Sequence, residues 1–179
     1  MIFITGGARS GKSALAEKLA LEGGGGVTYI ATAEPGDAEM KARIDEHRRR
    51  RPPSWKTVEA IRGLPGAIQQ ALEEGGTVLV DCLTVYLSNL LTADPNNIAA
   101  GGAMVKLLSD EVEQVATACR LEHGSGKLIM VSNEVGLGIV PESPLGRFFR
   151  DAAGAANQKL AALADEVYLC VAGVPVRIK

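Results

Sequence analysis

The segment GGARSGKS at positions 6 to 13 constrains the fold of this chain more than any other feature. It has the spacing G-x-x-x-x-G-K-[ST], in which glycines let backbone N–H groups turn toward phosphate oxygens. An apolar run at residues 2–4 precedes the segment, and a helical pattern at residues 13–20 follows it. Strand, loop and helix in this order predict a phosphate-binding loop (P-loop) at the start of an α/β domain, with the anion at the helix N-terminus.

Two side chains of this loop carry distinct chemistry. We expect Lys12 to reach the β- and γ-phosphates of a bound nucleotide as a catalytic cation, and the hydroxyl of Ser13 to meet Mg²⁺. The residues of the loop that we predict to bind nucleotide are Gly6, Gly7, Ala8, Arg9, Ser10, Gly11, Lys12 and Ser13.

Composition limits the class of protein. A chain of 179 residues favours a single domain over residues 1–179, and a formal net charge of -2 argues against a nucleic-acid partner. No apolar run is long enough to cross a bilayer, and Met1 leads straight into a predicted core strand, so we expect no membrane span, no signal peptide and a cytoplasmic location. The three cysteines show no metal-ligand spacing, and we expect them to be reduced and buried.

Short apolar runs alternate with longer helical patterns along the chain, which predicts a mostly parallel sheet flanked by helices. The residues after Ala172-Gly173 are close enough to the preceding run to form a C-terminal hairpin, and Pro175 places its last strand at an edge. The predicted strands are residues 2–5, 27–31, 77–81, 128–132 and 166–171, and the strongest predicted helices are residues 102–122 and 144–164.

Asp81 ends one of the predicted buried strands. P-loop enzymes use a carboxylate at such a position to hold Mg²⁺ beside the loop hydroxyl, directly or through water. The alternative is a structural role in which Asp81 caps the helix that follows, since aspartate is a favoured N-cap.

A charged helix is predicted from Asp37 to Arg51, where Pro52-Pro53 ends it. Met40, Ile44 and His47 share one face of this helix at the spacing i, i+4 and i+7. From these residues alone His47 is either an ordinary surface residue or a nucleophile, since a neutral imidazole can attack an electrophile.

Several ordered motifs, taken together, resemble one family over essentially the whole chain. That family is the bifunctional adenosylcobinamide kinase/adenosylcobinamide-phosphate guanylyltransferase of cobalamin biosynthesis. The motifs are the P-loop, Ile30-Ala31-Thr32-Ala33, the pattern Met40-x-x-Arg43-Ile44-x-x-His47-x-x-x-Arg51-Pro52-x-x-Trp55-x-Thr57-x-Glu59, Val80-Asp81-Cys82-Leu83-Thr84 with Asn89-Leu90-Leu91, the stretch from Ser132 to Glu142, Phe149-Arg150-Asp151 with Asn157-Gln158, and Ala164 to Tyr168.

The resemblance implies a RecA-like P-loop enzyme that catalyses two reactions with Mg²⁺. In the first, ATP or GTP phosphorylates the aminopropanol hydroxyl of adenosylcobinamide. In the second, GMP is transferred from GTP to that phosphate through a guanylylated histidine, which releases pyrophosphate and gives adenosylcobinamide-GDP. His47 is the matching histidine. The resemblance also implies a homo-oligomer, expected to be a trimer.

Further site residues are implied by the same resemblance. Asp81 suits either magnesium or a guanine contact. The residues expected to join the P-loop in binding nucleotide are Ala31, Thr32, Ala33, Arg48, Arg49, Arg50, Arg51, Glu59 and Asp81.

Some residues keep two interpretations. The loop from Asn133 to Gly138 faces either the corrinoid or the phosphates, or is a glycine-rich turn. Asn157 and Gln158 are packing residues or ligands, and Trp55 either packs the His47 segment or stacks on a base. Two other functions compete with the bifunctional transferase: a P-loop kinase of a small metabolite that leaves His47 without a role, and a nucleotide-dependent switch.

Overall fold

The computed structural model describes residues 1–93, 102–120 and 126–179. Within these ranges the chain forms one seven-stranded sheet in the order β3-β2-β4-β5-β1-β6-β7. Neighbouring strands are parallel except β6 and β7, which are antiparallel. The strands are β1 (Ile2–Gly6), β2 (Val27–Ala31), β3 (Lys56–Glu59), β4 (Thr77–Asp81), β5 (Lys127–Val131), β6 (Glu166–Val171) and β7 (Val174–Arg177).

Helices cover both faces of this sheet. Phe3 of β1 packs with the cluster that contains the apolar faces of the later helices, whereas Ile2 and Ile4 face the first helix on the other side. This double burial explains why the central strands are continuous apolar runs rather than alternating patterns. The helices are α1 (Lys12–Glu22), α2 (Ala38–Arg50), α3 (Leu64–Glu74), α4 (Leu83–Thr92), α5 (Gly102–Cys119) and α6 (Pro144–Leu163).

The mostly parallel sheet flanked by helices and the C-terminal edge hairpin are confirmed, and β2, β4 and β6 have the predicted bounds. The predicted helix 102–122 ends at Cys119, and its last two residues lie outside the described ranges. Strand β3 and helix α3 were not predicted. Strand β3 has four residues at an exposed edge, too few for a clear alternation, whereas Leu64, Ile68, Ala71 and Leu72 of α3 have a readable helical spacing.

Parallel pairing brings the chemically important segments to one edge of the sheet. The P-loop follows β1, while Ala31, Glu59 and Asp81 end β2, β3 and β4, and Asn133 lies two residues after β5. The carboxyl ends of parallel strands meet at the same edge, which is where open α/β sheets bind their ligands. No helix within the described residues combines the length and the apolar character that a membrane span requires.

Candidate active site

The P-loop wraps the start of α1 and depends on glycine at two positions. Gly6 has φ 147°, and a Cβ there would lie 2.3 Å from the carbonyl oxygen of Cys170. Gly11 precedes the helix in the left-handed conformation and supplies no side-chain cap. The first N–H groups of α1 therefore remain available to an anion, as the sequence predicts for a phosphate site.

Lys12 is buried in this loop, with 6% of its surface exposed. Its Nζ donates hydrogen bonds to the carbonyl oxygen of Gly7 at 2.6 Å and to Oγ of Ser10 at 3.4 Å. Burial lowers the pKa of Lys12, and the nearby Cys82 and Asp81 oppose that shift. The loop thus holds a lysine beside the position where the helix N-terminus attracts phosphate.

A single cavity of about 530 Å³ contains most of the predicted site. Its walls are formed by the P-loop, by the ends of β2, β3 and β4, and by one face of α2. The predicted residues that line it are Ala8, Arg9, Ser10, Gly11, Lys12, Ser13, Ala31, Ala33, His47, Arg48, Arg50, Arg51, Glu59 and Asp81. Gly6, Gly7, Thr32 and Arg49 are not part of its lining.

Asp81 faces this cavity at the end of β4. Its Oδ2 accepts a hydrogen bond from the phenol of Tyr29 at 3.0 Å. Burial, reinforced by Asp81, raises the pKa of Tyr29, so the phenol keeps its proton and remains a donor. The N-cap of α4 is Cys82, and no side chain caps that helix. The structure therefore contradicts the helix-capping alternative and leaves one carboxylate oxygen of Asp81 for a ligand.

Helix α2 presents His47 to the cavity. Asp37 begins the helix by accepting a hydrogen bond from the N–H of Met40 at 2.7 Å, and the extended Arg51 before Pro52-Pro53 ends it. Met40, Ile44 and His47 all line the cavity, which confirms the shared face predicted from their spacing. Nδ1 of His47 is buried and has no hydrogen-bond partner among the described residues.

The arginine run at the end of α2 divides its contacts among different elements. Arg48 donates a hydrogen bond to Glu59 at 2.5 Å, and Arg50 donates one to Glu17 at 3.0 Å. The guanidinium carbon of Arg51 lies 3.4 Å from the ring centroid of Tyr29. Arg49 instead donates to the carbonyl oxygen of Asp45 on its own helix. Three of the four arginines thus border the cavity and connect α2 to the rest of the fold, and their contacts with nucleotide stay a prediction.

Thr32 is fully buried behind the cavity wall, in contrast to its neighbours Ala31 and Ala33. Its hydroxyl donates to the carbonyl oxygen of Cys82 and accepts from the N–H of the same residue, both at 2.8 Å. Asn89 in turn donates to the carbonyl oxygen of Thr32 at 2.7 Å. Thr32 therefore fixes the backbone next to Asp81.

Replacing Thr32 with valine should destabilise the fold. Valine keeps the shape but leaves the N–H and C=O of Cys82 without the hydroxyl, and a buried group left unpaired costs roughly 1–3 kcal/mol. We expect the free energy of unfolding in urea to fall by about 2 kcal/mol. Thr117→Val is the control, because the hydroxyl of Thr117 bonds Glu113 on an exposed helix surface. Equal unfolding midpoints for the two variants would contradict this role of Thr32.

Asn133 lines the same cavity, and whether its loop faces the corrinoid or the phosphates stays a prediction. Its N–H and its Nδ2 donate to Oγ1 of Thr84 at 3.0 and 2.9 Å, and its carbonyl oxygen accepts from Asn157 at 3.1 Å. Asn157 is buried and also accepts from Ser132, so it is a packing residue, while Gln158 is exposed. Beyond Asn133, Glu134 accepts from Gly136 within a local turn.

Cys82 and Val85 also line the cavity and were not predicted as site residues. Burial raises the pKa of the Cys82 thiol to about 11, so it is an uncharged wall of the site at neutral pH. All three cysteines are free and buried, as expected. The signal that could have placed Cys82 in the site was its position directly after Asp81.

A second cavity of about 460 Å³ adjoins the end of α2. Trp55 lines it and stacks on Tyr29 with ring centroids 6.4 Å apart. This contact fits the predicted packing role, in which Trp55 holds the segment after α2 against β2.

Comparison with known protein sequences gives one consistent result. The profile of a family described as cobinamide kinase / cobinamide phosphate guanyltransferase matches residues 2–178. The bifunctional adenosylcobalamin biosynthesis protein CobU of Salmonella typhimurium strain LT2 is 45% identical over 184 residues, which cover 100% of this chain and 99% of that protein. The corresponding protein CobP of Pseudomonas aeruginosa PAO1 is 45% identical over 176 residues, which cover 98% and 95% of the two chains.

Among solved structures, the fold is similar to that of an ATPase from the type III secretion system of pathogenic bacteria. The TM-score is 0.55 at 14% sequence identity, and the match covers 94% of this chain and 50% of that one. This likeness concerns the fold alone.

Proposed function

The chain belongs to the cobinamide kinase/cobinamide phosphate guanyltransferase family, and on that premise we propose how its residues divide two reactions within one cavity. The enzyme is a bifunctional transferase that phosphorylates adenosylcobinamide and then transfers GMP to the phosphate. The observation that supports our assignment of residues is that the P-loop and His47 line the same cavity. A nucleotide whose phosphates lie on the P-loop is thereby brought to the face of α2 that carries the imidazole.

In the kinase reaction the P-loop positions the γ-phosphate of ATP or GTP. The substrate hydroxyl oxygen attacks the γ-phosphorus and loses its proton, the bond from that phosphorus to the β-phosphate oxygen breaks, and the nucleoside diphosphate leaves. Lys12 and the N–H groups at the start of α1 stabilise the charge on the transferring group. This step requires no contribution from His47.

In the guanylyltransfer reaction the imidazole of His47 attacks the α-phosphorus of GTP. The bond to the β-phosphate oxygen breaks, pyrophosphate leaves, and the imidazole loses a proton, which gives a GMP-histidine phosphoramidate. A phosphate oxygen of adenosylcobinamide phosphate then attacks the same phosphorus, the N–P bond breaks, and the imidazole nitrogen takes up a proton from solvent, which regenerates His47. Arg48, Arg50 and Arg51 border the cavity on the side of α2, where they neutralise charge on the nucleotide phosphates.

The oxygen donors in the cavity fit a magnesium ion. Mg²⁺ is usually held by one or two carboxylates together with substrate phosphates and water, and the hydroxyl of Ser13 and the carboxylate of Asp81 both face the cavity that contains Lys12. When bound, the ion supplies positive charge against the phosphate oxygens. Ser13 and Asp81 are therefore the residues that would hold it.

The variant Asp81→Asn separates the magnesium and guanine roles of Asp81. Asparagine still accepts the Tyr29 hydrogen bond but carries no charge, so we expect the Mg²⁺ concentration for half-maximal kinase rate to rise by roughly tenfold or more with ATP and GTP alike. Tyr29→Phe is the control, because it removes the hydrogen bond to Asp81 and keeps the carboxylate charge. An unchanged magnesium requirement with a selective loss of GTP use would contradict the metal role and favour the guanine contact.

The two activities are tested by supplying substrates in turn. Adenosylcobinamide with ATP and Mg²⁺ should give its phosphate ester, and subsequent addition of GTP should give adenosylcobinamide-GDP with one pyrophosphate released per product. The contrary outcome is a reaction that stops at the phosphate ester, together with a separate incubation of the purified phosphate ester with GTP that gives no product. That pair of results would indicate a kinase without guanylyltransfer. The homotrimer and the cytoplasmic location expected from the sequence stay predictions.

A further inference from the structure

Glu17 is a partly buried acidic residue that the assigned chemistry leaves without a role. It lies on α1, one helical turn after Ser13, and its side chain is 14% exposed. Its Oε2 accepts a hydrogen bond from Arg50 of α2 at 3.0 Å, and its Oε1 is buried with no partner among the described residues. By contrast, the exposed pair of Lys18 and Glu22 on the same helix has side chains 71% and 54% exposed.

In this pair the side chain of Arg50 is 43% exposed and that of Glu17 is 14% exposed, so only the carboxylate is largely withdrawn from solvent. An ion pair between two exposed side chains contributes little to holding two elements together, whereas a carboxylate withdrawn from water depends on a partner that compensates its charge. Within the described residues, Arg50 is the partner that compensates the Glu17 carboxylate. Separation of α1 from α2 at this point would therefore leave the Glu17 carboxylate without that partner.

Arg50 lies three residues after His47, and residues at this spacing are neighbours on one helix face. Both side chains line the large cavity. Helix α1 begins at the P-loop with Lys12, so the contact between Glu17 and Arg50 connects the element that holds the phosphates to the helical turn that carries the imidazole. A second ion pair of α2, between Arg48 and Glu59, involves side chains that are both more than half exposed.

We infer that Glu17 is a positioning residue for guanylyltransfer. Glu17 acts through Arg50, and their contact holds the helical turn that carries His47 at the distance from the P-loop that attack on the α-phosphorus requires. This inference rests on the proposed function of His47. It assigns Glu17 no contact with the nucleotide, and it gives the kinase reaction no dependence on the ion pair, because Lys12 and Ser13 belong to the P-loop itself.

The test compares Glu17→Gln with the unmodified enzyme in two assays. One is the single-turnover rate at which the protein acquires label from GTP labelled at the α-phosphate, at saturating GTP with Mg²⁺. The other is kinase turnover with ATP. Loss of precise positioning can slow a reaction by up to about a hundredfold, so we expect Glu17→Gln to lower the labelling rate by roughly tenfold to a hundredfold. Kinase turnover should be unchanged, which also reports that the variant is folded.

Two further comparisons distinguish positioning from a general structural effect. Glu22→Gln is the matched control on the same helix, and it should alter neither assay. In a double-mutant cycle, Glu17→Gln should cause no further loss of labelling in an Arg50→Gln background, because residues that act through each other are not additive. Should Glu17→Gln prove poorly folded, Glu17→Asp keeps the charge on a shorter side chain, and should lower labelling while it preserves kinase turnover.

Three results would overturn the inference: labelling by Glu17→Gln at the rate of the unmodified enzyme, equal losses in both assays, or additive losses in the double-mutant cycle. Failure of the proposed function has a different signature, since the unmodified enzyme itself would then acquire no label from GTP.

Discussion

Replacing His47 with asparagine should abolish guanylyltransfer and leave the kinase reaction intact. Asparagine has a polar side chain of similar reach but no nitrogen that can act as the nucleophile, so no phosphoramidate can form. Kinase catalysis depends on the P-loop, which lies outside the helix that carries His47. We expect adenosylcobinamide phosphate to accumulate in a reaction with ATP and GTP, while adenosylcobinamide-GDP falls below detection by chromatography.

The other histidine of the sequence, His123, provides the matched control. His123→Asn should retain both products. If His47→Asn still produced adenosylcobinamide-GDP, the covalent route would be wrong and direct attack of the cobinamide phosphate on GTP would replace it. If a folded His47→Asn enzyme lost both activities, His47 would have a role in nucleotide binding as well.

Replacing Lys12 with alanine should impair both reactions. Lys12 is buried and lines the cavity, and each reaction develops negative charge on phosphate oxygens that this cation stabilises. Loss of one preorganised stabilising group of this kind costs about 10²–10³ in kcat. We expect losses of about this size in kinase turnover and in single-turnover labelling from GTP labelled at the α-phosphate.

Lys18→Ala is the control for Lys12→Ala, since Lys18 lies on the same helix with an exposed side chain paired to Glu22. It should leave both rates unchanged. Loss of kinase turnover with full labelling in Lys12→Ala would contradict a shared cavity and would require a separate nucleotide site for guanylyltransfer.

The parts of the site that follow from local sequence patterns were predictable. A P-loop motif includes its own strand, turn and helix, and Asp81 was expected near it because both follow strands of a parallel sheet. The position of His47 on the cavity face of α2 followed from its spacing to Met40 and Ile44. Each of these inferences requires only the periodicity of one element or the common direction of parallel strands.

The contacts that join distant elements were not predictable in the same way. Tyr29 reaches Asp81 across 52 residues of sequence, and Arg50 reaches Glu17 across 33. Thr32 has alanine neighbours that line the cavity, yet it points into the core because alternate residues of an extended chain face opposite sides. The arginine run gave no indication of which members border the cavity, since that depends on the position of the last helical turn of α2 relative to β2 and α1.

The structure and the family assignment argue against the alternative function of a P-loop kinase alone. A P-loop kinase that leaves His47 without a role would have no use for an imidazole in the cavity wall, and the family assignment includes guanyltransfer. Nδ1 of His47 has no hydrogen-bond partner among the described residues, so no such bond at this nitrogen restrains the ring. Both observations favour a covalent intermediate at His47.

The covalent intermediate is detected by locating the nucleotide adduct on the protein. The enzyme is incubated with Mg²⁺ and GTP labelled at either the α- or the γ-phosphate, without corrinoid, and its peptides are then analysed by mass spectrometry. We expect an acid-labile, alkali-stable adduct that retains the α-label, lacks the γ-label, maps to His47 and disappears on addition of adenosylcobinamide phosphate. Absence of the adduct, its attachment to another residue, or its persistence in His47→Asn would show that guanylyltransfer does not pass through His47.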